Sequence, residues 1–311
     1  MKSNTSIISK PDNKSQLTKV HKSPKSIKLR YVPYIFIGPA VIYLAIVTLI
    51  PAVMAFPISL TNWSALTPEM SFIGLDNYKN LLSDEYFWDS IIVTLQFFIS
   101  VPIILLIGLT QAMLLNNKIR GMNIFRVIYY SPVITSTIAA AVIFDWFFLP
   151  SSGLFNSLLE AAGFQGIGWI YDAKTSVMSI IIFRAWHLSG AAMLIYLAGL
   201  QDVPLELVEA AEIDGATWGQ KFRYITFPFL KPANIYLLIT QCIAAFMVFQ
   251  ETFLFLERIP LRSATTVVNY IYEKGFKFYE MGYASAMSFI LFIIILIVTL
   301  LQYRFLKFDK E

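Results

Sequence analysis

The side chains that could carry chemistry in this sequence are few and scattered. Its two histidines, His21 and His187, and its single cysteine, Cys242, cannot assemble a His/Cys metal cluster or an intrachain disulfide. The chain contains no Gly-x-x-x-x-Gly-Lys-Ser/Thr loop for nucleotide phosphates, no Gly-x-Ser-x-Gly elbow and no His-Glu-x-x-His pair, and Gly166 and Gly168 form a Gly-x-Gly without the third glycine. No residue set for an intramembrane enzyme is therefore expected, and no catalytic residue is assigned. Three charged residues do fall inside long apolar runs: Asp145, Arg184 and Glu251. Charge there is costly and marks a functional position by default, with snorkelling or a structural Asp145 to Arg184 pair as the alternatives. His187 is expected to be neutral and hydrogen-bonded to a neighbouring helix.

The richest spacing lies in residues 201–232, where the chemistry on offer is recognition. Asp202 is expected to cap a helix that Pro204 begins, because proline's missing amide proton costs nothing in a first turn. Leu205, Val208 and Ile213 recur at helical spacing, Glu206, Glu209 and Glu212 take other faces, and Ala210 and Ala211 lie between them. Gly215 is expected to end this helix in a left-handed conformation. A second amphipathic stretch, Trp218 to Ile225, is expected to end before Pro228, whose ring disfavours helix in the preceding residue. The result would be a compact acidic knob. Small Ala210 and Ala211 would let another backbone approach, and Glu209 would offer its carboxylate to a basic or amide-lined groove. Anionic lipid should repel Asp202, Glu206, Glu209, Glu212 and Asp214, which favours protein docking over an interfacial lipid helix.

The elements that position this knob follow from composition. Of 311 residues, 57% are apolar and 14% charged, far from a water-soluble balance. Six apolar runs match the length of a membrane-spanning helix, near 32–56, 90–114, 124–148, 177–200, 233–256 and 284–303. Pro51, Pro102 and Pro132 interrupt them. An all-α integral membrane protein is the expected class, with residues 32–305 as one domain containing the 201–232 loop. Residues 1–31 form a basic arm, with eight Lys and Arg in the first 30 residues and Asp12 as the only acid. It is expected to be disordered and not to bind nucleic acid. Residues 306–311 would be a short tail. Seventeen Lys and Arg fall on the side of the termini and six on the other, so both termini are expected in the cytoplasm. The outward loops carry Trp63 and Trp169, suited to an aromatic belt at headgroup level.

Glu209, Ala210 and Ala211, followed by Gly215, Ile225 and Pro228, resemble the signature loop of the permeases of binding-protein-dependent ABC importers. Pro204, Glu206, Leu207, Asp214 and Ala216 fit its flanks, as do Trp186, Gly190, Met193, Ala198, Leu200 and Gln201 before it; Phe227 stands where that pattern has leucine. Phe72, Gly74, Leu75, Asn77 and Tyr78, then Pro260, Thr266, Tyr270, Ile271 and Tyr272, then Gly282, Tyr283 and Ala284 are similar to the carbohydrate branch, in particular the maltose-F type. Arg258 and Ile259 replace the two glycines usual before that proline.

The resemblance implies six transmembrane helices with a type I ABC importer permease core in a bacterial-type cytoplasmic membrane. It implies a second permease subunit, two ATP-binding subunits and an extracytoplasmic binding protein as partners, with ATP and Mg held on the ATPases and none by this chain. Glu209, Ala210, Ala211, Asp214, Gly215, Ile225 and Pro228 would dock an ATPase. Neutral sugars are held by aromatic faces and by amide or hydroxyl groups. Trp186, Ser189, Tyr196, Gln241, Phe246 and Gln250 are the corresponding residues expected along a mid-membrane path. The alternative from composition alone is a stand-alone secondary transporter, which needs coupling residues near the midplane.

Overall fold

The computed structural model describes residues 32–67, 69–117, 121–255 and 263–307. The basic arm, Arg258, Ile259, Pro260 and the last residues of the tail lie outside them. The described chain is helical, and its only β feature is an isolated antiparallel bridge between Thr61 and Phe72. Among the described residues, those up to Val53 form one compact unit and those from Met54 onward a second. The first span is α1 (Val32–Leu44), a π turn and α2 (Ile50–Ser59).

The second unit begins within α2 and continues with α3 (Asp76–Leu82), followed by α4 (Glu85–Gln96) and α5 (Ser100–Leu115), which form one span. Next come α6 (Met122–Ile134), α7 (Thr137–Phe147), α8 (Leu154–Ala161) and the uninterrupted α9 (Ser176–Gln201). The loop contains α10 (Leu205–Ile213), α11 (Trp218–Lys221) and α12 (Phe227–Phe229). The chain continues through α13 (Lys231–Phe246), α14 (Gln250–Phe255), α15 (Val267–Tyr272) and α16 (Met281–Lys307).

Two expected spans are broken. Between α6 and α7 the axis turns by 97°. Thr135 and Ser136 are extended there (ψ 140° and 127°), and Pro132 supplies no amide proton to the turn before them. His187 Nε2 lies 3.4 Å from the Thr135 carbonyl, so the histidine of α9 meets a backbone group that the break frees. The fifth span ends as a regular helix at Phe246 and resumes at Gln250.

Two other prolines, Pro51 and Pro228, are absorbed by π turns. Before Pro51 the amide of Ile50 donates to the carbonyl of Ala45, and before Pro228 the amide of Phe227 donates to the carbonyl of Phe222. The extra residue widens the turn, relieving the clash of the proline ring with the carbonyl four residues back. The helix containing Trp218 to Ile225 therefore does not stop before Pro228. It runs on to Phe229 and bends by 66° into α13.

Packing is closest along α9. The pairing of α5 with α9 is the most extensive among the described helices, and α6 crosses α9 so tightly that a Cβ on Gly190 would lie 2.4 Å from the Tyr129 carbonyl oxygen. Small residues at such crossings substitute contact for the hydrophobic force that lipid does not supply. Trp169 is part of this packing rather than of a belt. Its ring lies 5.5 Å from those of Phe148 and Phe155, and its Nε1 donates to Asn156 Oδ1 at 2.8 Å.

At the end of the second unit away from the 201–232 loop, the residues of the sugar-branch pattern tie elements together. Asn77 Nδ2 donates to the carbonyls of Ser59 and Thr61 at 2.8 and 2.9 Å, and the amide of Gly282 donates to the Trp63 carbonyl at 2.9 Å. Asp84 caps α4 through Oδ1 and the Phe87 amide, and its Oδ2 accepts from Tyr270 and Tyr283 at 2.8 and 2.6 Å. Burial alone would raise the Asp84 pKa, but the hydrogen bonds from Tyr283, Tyr270 and the Phe87 and Tyr86 amides together hold it below the usual carboxylate value. This stabilisation is complete above the unfolded pKa of about 3.9 and is lost as pH falls through the lower folded value. Asp84→Asn should cost about 2 kcal/mol at neutral pH and flatten the acid limb of a Tm-against-pH curve measured in detergent.

Candidate functional site

The knob forms as an exposed pair of short helices. Asp202 does not cap α10. It is the C-cap of α9, and Pro204 (φ −62°, ψ 125°) occupies the N-cap of α10 with no side-chain hydrogen bond. Two intervening residues put the Asp202 carboxylate at the wrong helix end. The other terminus follows the expectation. Gly215 has φ +77°, its amide donates to Glu212 O at 3.1 Å, and the amide of Ala216 donates to Ala211 O at 2.9 Å, the two bonds of a Schellman stop.

Two residues on, Thr217 and Gln220 close a capping box that starts α11. This Thr-x-x-Gln signature is legible in the sequence and was missed there. Lys221 Nζ bridges back to Glu212 Oε1 at 2.5 Å, fixing the angle between the two helices. Glu209 and Ala210 are exposed, and no ion pair reaches Glu209 among the described residues. Ile213 is 87% exposed and Trp218 68%. An acidic helix edge with an exposed isoleucine and tryptophan beside it has the chemistry of a protein contact surface. Asp214 and Pro228 are also exposed, whereas Ala211 and Ile225 are half-buried.

The six path residues separate. Trp186 and Ser189 line a cavity of about 540 Å³ between α5, α6 and α9. Gln111 lines it too, with an Oε1 that has no partner among the described residues, as does Tyr129; both escaped the sequence reading. Gln111 is signalled as an amide in an otherwise apolar run. Tyr196 is 1% exposed and donates to Asn234 Oδ1 at 2.7 Å, and Phe246 is 4% exposed and packs edge-on to Phe98 at 4.6 Å. Both are held in helix packing. Gln241 lies half-buried on α13, with Oε1 unpartnered among the described residues, and Gln250 is exposed at the start of α14.

The intramembrane charges pair differently from the expectation. Arg184 Nη1 meets Glu251 Oε1 at 2.5 Å, while Asp145 Oδ1 accepts from Tyr171 at 3.1 Å. The break before α14 turns Glu251 toward α9.

Known proteins resemble this chain in sequence and in fold. The arabinooligosaccharides transport system permease AraP of Bacillus subtilis is 36% identical over 276 residues, covering 88% of this chain and 87% of that protein. The trehalose/maltose transport system permease MalF of Thermococcus litoralis is 32% identical over 289 residues, covering 91% and 98%. A crystal structure of a bacterial ABC transporter involved in the import of the acidic polysaccharide alginate contains a chain of the same fold, with TM-score 0.78, 22% identity and coverage of 92% and 98%. Residues 95–307 match the family of binding-protein-dependent transport system inner membrane components. With its loop, its spans and its relatives in agreement, the chain belongs to that family and is a multi-pass permease of the inner membrane.

Proposed function

We propose that this permease imports a sugar, an oligosaccharide above all, with a second permease subunit, two ATP-binding subunits on the cytoplasmic face and a binding protein outside. Relatives named for arabinooligosaccharides, trehalose and maltose, and lactose support the sugar reading. Both termini and the 201–232 loop are cytoplasmic on the count of Lys and Arg.

The observation that carries the mechanism is the exposed acidic helix α10, stopped by Gly215 and locked to α11 by the Lys221–Glu212 bridge. Glu209, Ala210, Ala211, Asp214, Gly215, Ile225 and Pro228 form the surface that seats in an ATPase cleft. ATP and Mg bind on those subunits, since this chain has no phosphate-binding loop. When the ATPases close on nucleotide, the seated knob moves with them. α9 and α13, which enter and leave the loop directly, carry that motion into the bundle, and substrate and nucleotide are linked because each favours different global states. Trp186 and Ser189, with Gln250 and Gln241, supply the aromatic face and the amide and hydroxyl groups of the sugar path.

Pull-down of the chain should recover both a second permease and an ATPase, and uptake should survive collapse of ion gradients but stop without ATP. A secondary transporter would give the reverse. Glu209→Lys places a cation where the cleft receives a carboxylate. It should leave insertion intact and lower uptake about tenfold or more, with loss of the ATPase from the pull-down as the check.

A further inference from the structure

We propose that the Arg184–Glu251 pair is a positioning device that makes the short helix α14 part of the α9 body. Displacement of the cytoplasmic loop then reaches the outer end of the fifth span through α9 and not along α13. This rests on the transport reading above and adds the route by which the loop acts.

The route along α13 is interrupted. α13 leaves the loop at Lys231 but ends at Phe246, and Met247 to Phe249 are non-helical before α14 begins. The route along α9 is continuous for 26 residues. α14 is joined to α9 twice on one face: Glu251 pairs with Arg184 at 2.5 Å, and four residues on, the ring of Phe255 packs edge-on to Phe183 at 5.7 Å.

Its other holds are also outside α13. Asn269 Nδ2 donates to Thr252 Oγ1 on α14, and Thr266 Oγ1 donates at 2.6 Å to the carbonyl of Val248 in the break just before it. α14 also packs against α7, so it is held by α7, α9 and the α15 end of the molecule while its covalent link to α13 is a break, and the ion pair is its one charged tie to α9 among the described residues.

The pair is deeply buried, with side-chain exposures of 3% for Arg184 and 14% for Glu251, and Arg184 Nε has no partner among the described residues. A buried ion pair of this kind is weak as a source of stability, because packed apolar side chains hold a contact at least as well. What it fixes is register. Gln250, next in sequence to Glu251 and exposed, takes its position from this pair.

The test uses the complete importer in proteoliposomes, reading sugar accumulation and ATP hydrolysis together. ATP-dependent uptake by the wild-type complex is measured first, and its absence would refute the transport reading itself. Arg184→Glu and Glu251→Arg should each lower uptake about tenfold while ATP hydrolysis continues, and the two combined should restore uptake to within about threefold of wild type. Parallel loss of uptake and hydrolysis in the singles, or an assembled double reversal that stays inactive, overturns the proposal.

A second arm places Arg184→Cys and Glu251→Cys in a Cys242→Ser chain. Uptake should be slow untreated and should rise when a short bifunctional thiol reagent joins the two residues, since a covalent tie then replaces the pair. If cross-linking leaves uptake low or arrests it, α9 and α14 must separate during transport, and the proposal fails.

Discussion

Gly215→Pro should abolish uptake while leaving the chain inserted in the membrane. Gly215 sits at φ +77°, and a proline ring holds φ near −65°. The substitution also deletes the amide that donates to Glu212 O, and it swings Ala216 out of its bond to Ala211 O. α10 would lose its stop, and the capping box two residues later would be re-aimed. We expect at least a hundredfold loss of uptake, about 3 kcal/mol of coupling, with membrane levels unchanged.

The control is Gly215→Ala. A Cβ there meets nothing within 4 Å, so only left-handed strain of about 1–2 kcal/mol is added, and uptake should stay within a few-fold of wild type. Similar losses in both variants would mean that the position, and not its conformation, is what matters.

Gly190→Leu has an equally large effect of a different kind. Its Cβ would meet the Tyr129 carbonyl at 2.4 Å, Val133 Cγ2 at 3.0 Å and Tyr130 Cα at 3.2 Å, and two of these three are backbone atoms of α6 that cannot rotate away. Overpacking of this severity costs more than about 3 kcal/mol, and in a bilayer no hydrophobic gain between helices offsets it. The chain should be degraded or elute as aggregate, with no second permease recovered. Gly219→Leu, on an open face, should elute as wild type.

These two glycines mark what the sequence could and could not disclose. The knob was legible because its determinants are local. The Glu209-Ala210-Ala211 run, Gly215 and the helical spacing of Leu205 and Val208 decide its form within a few residues, and only the cap at Asp202 and the stop at Pro228 were misplaced. The errors have separate origins: Val203 and Pro204 leave Asp202 at the end of α9, away from the start of α10. A proline's effect depends on what the preceding turn does, and a π turn at Phe222–Thr226 let the helix run on.

The long spans were legible from composition, since a bilayer demands their length. The breaks at Thr135–Ser136 and Met247–Phe249 were not, because they are stabilised from other helices, by His187 in one case and Thr266 in the other. The partner of Arg184 was hidden for that reason too. Asp145 and Glu251 are both within apolar runs, and only the turn before α14 decides which carboxylate faces α9. The path residues were chosen by their chemistry, which does not say where helix packing places them. Tyr196 and Phe246 have the right chemistry for a sugar but spend it on Asn234 and Phe98, whereas Gln111 and Tyr129 line the cavity that Trp186 and Ser189 share.

The central claim is that the α10 knob is a cytoplasmic lever seated in a motor subunit. It is tested most directly by Glu209→Cys in a Cys242→Ser chain, labelled with a membrane-impermeant thiol reagent in right-side-out and inverted vesicles. The account predicts labelling only in inverted vesicles, suppressed when the ATPase subunits are bound. Labelling from right-side-out vesicles, or labelling in inverted vesicles that bound ATPase does not reduce, would contradict it.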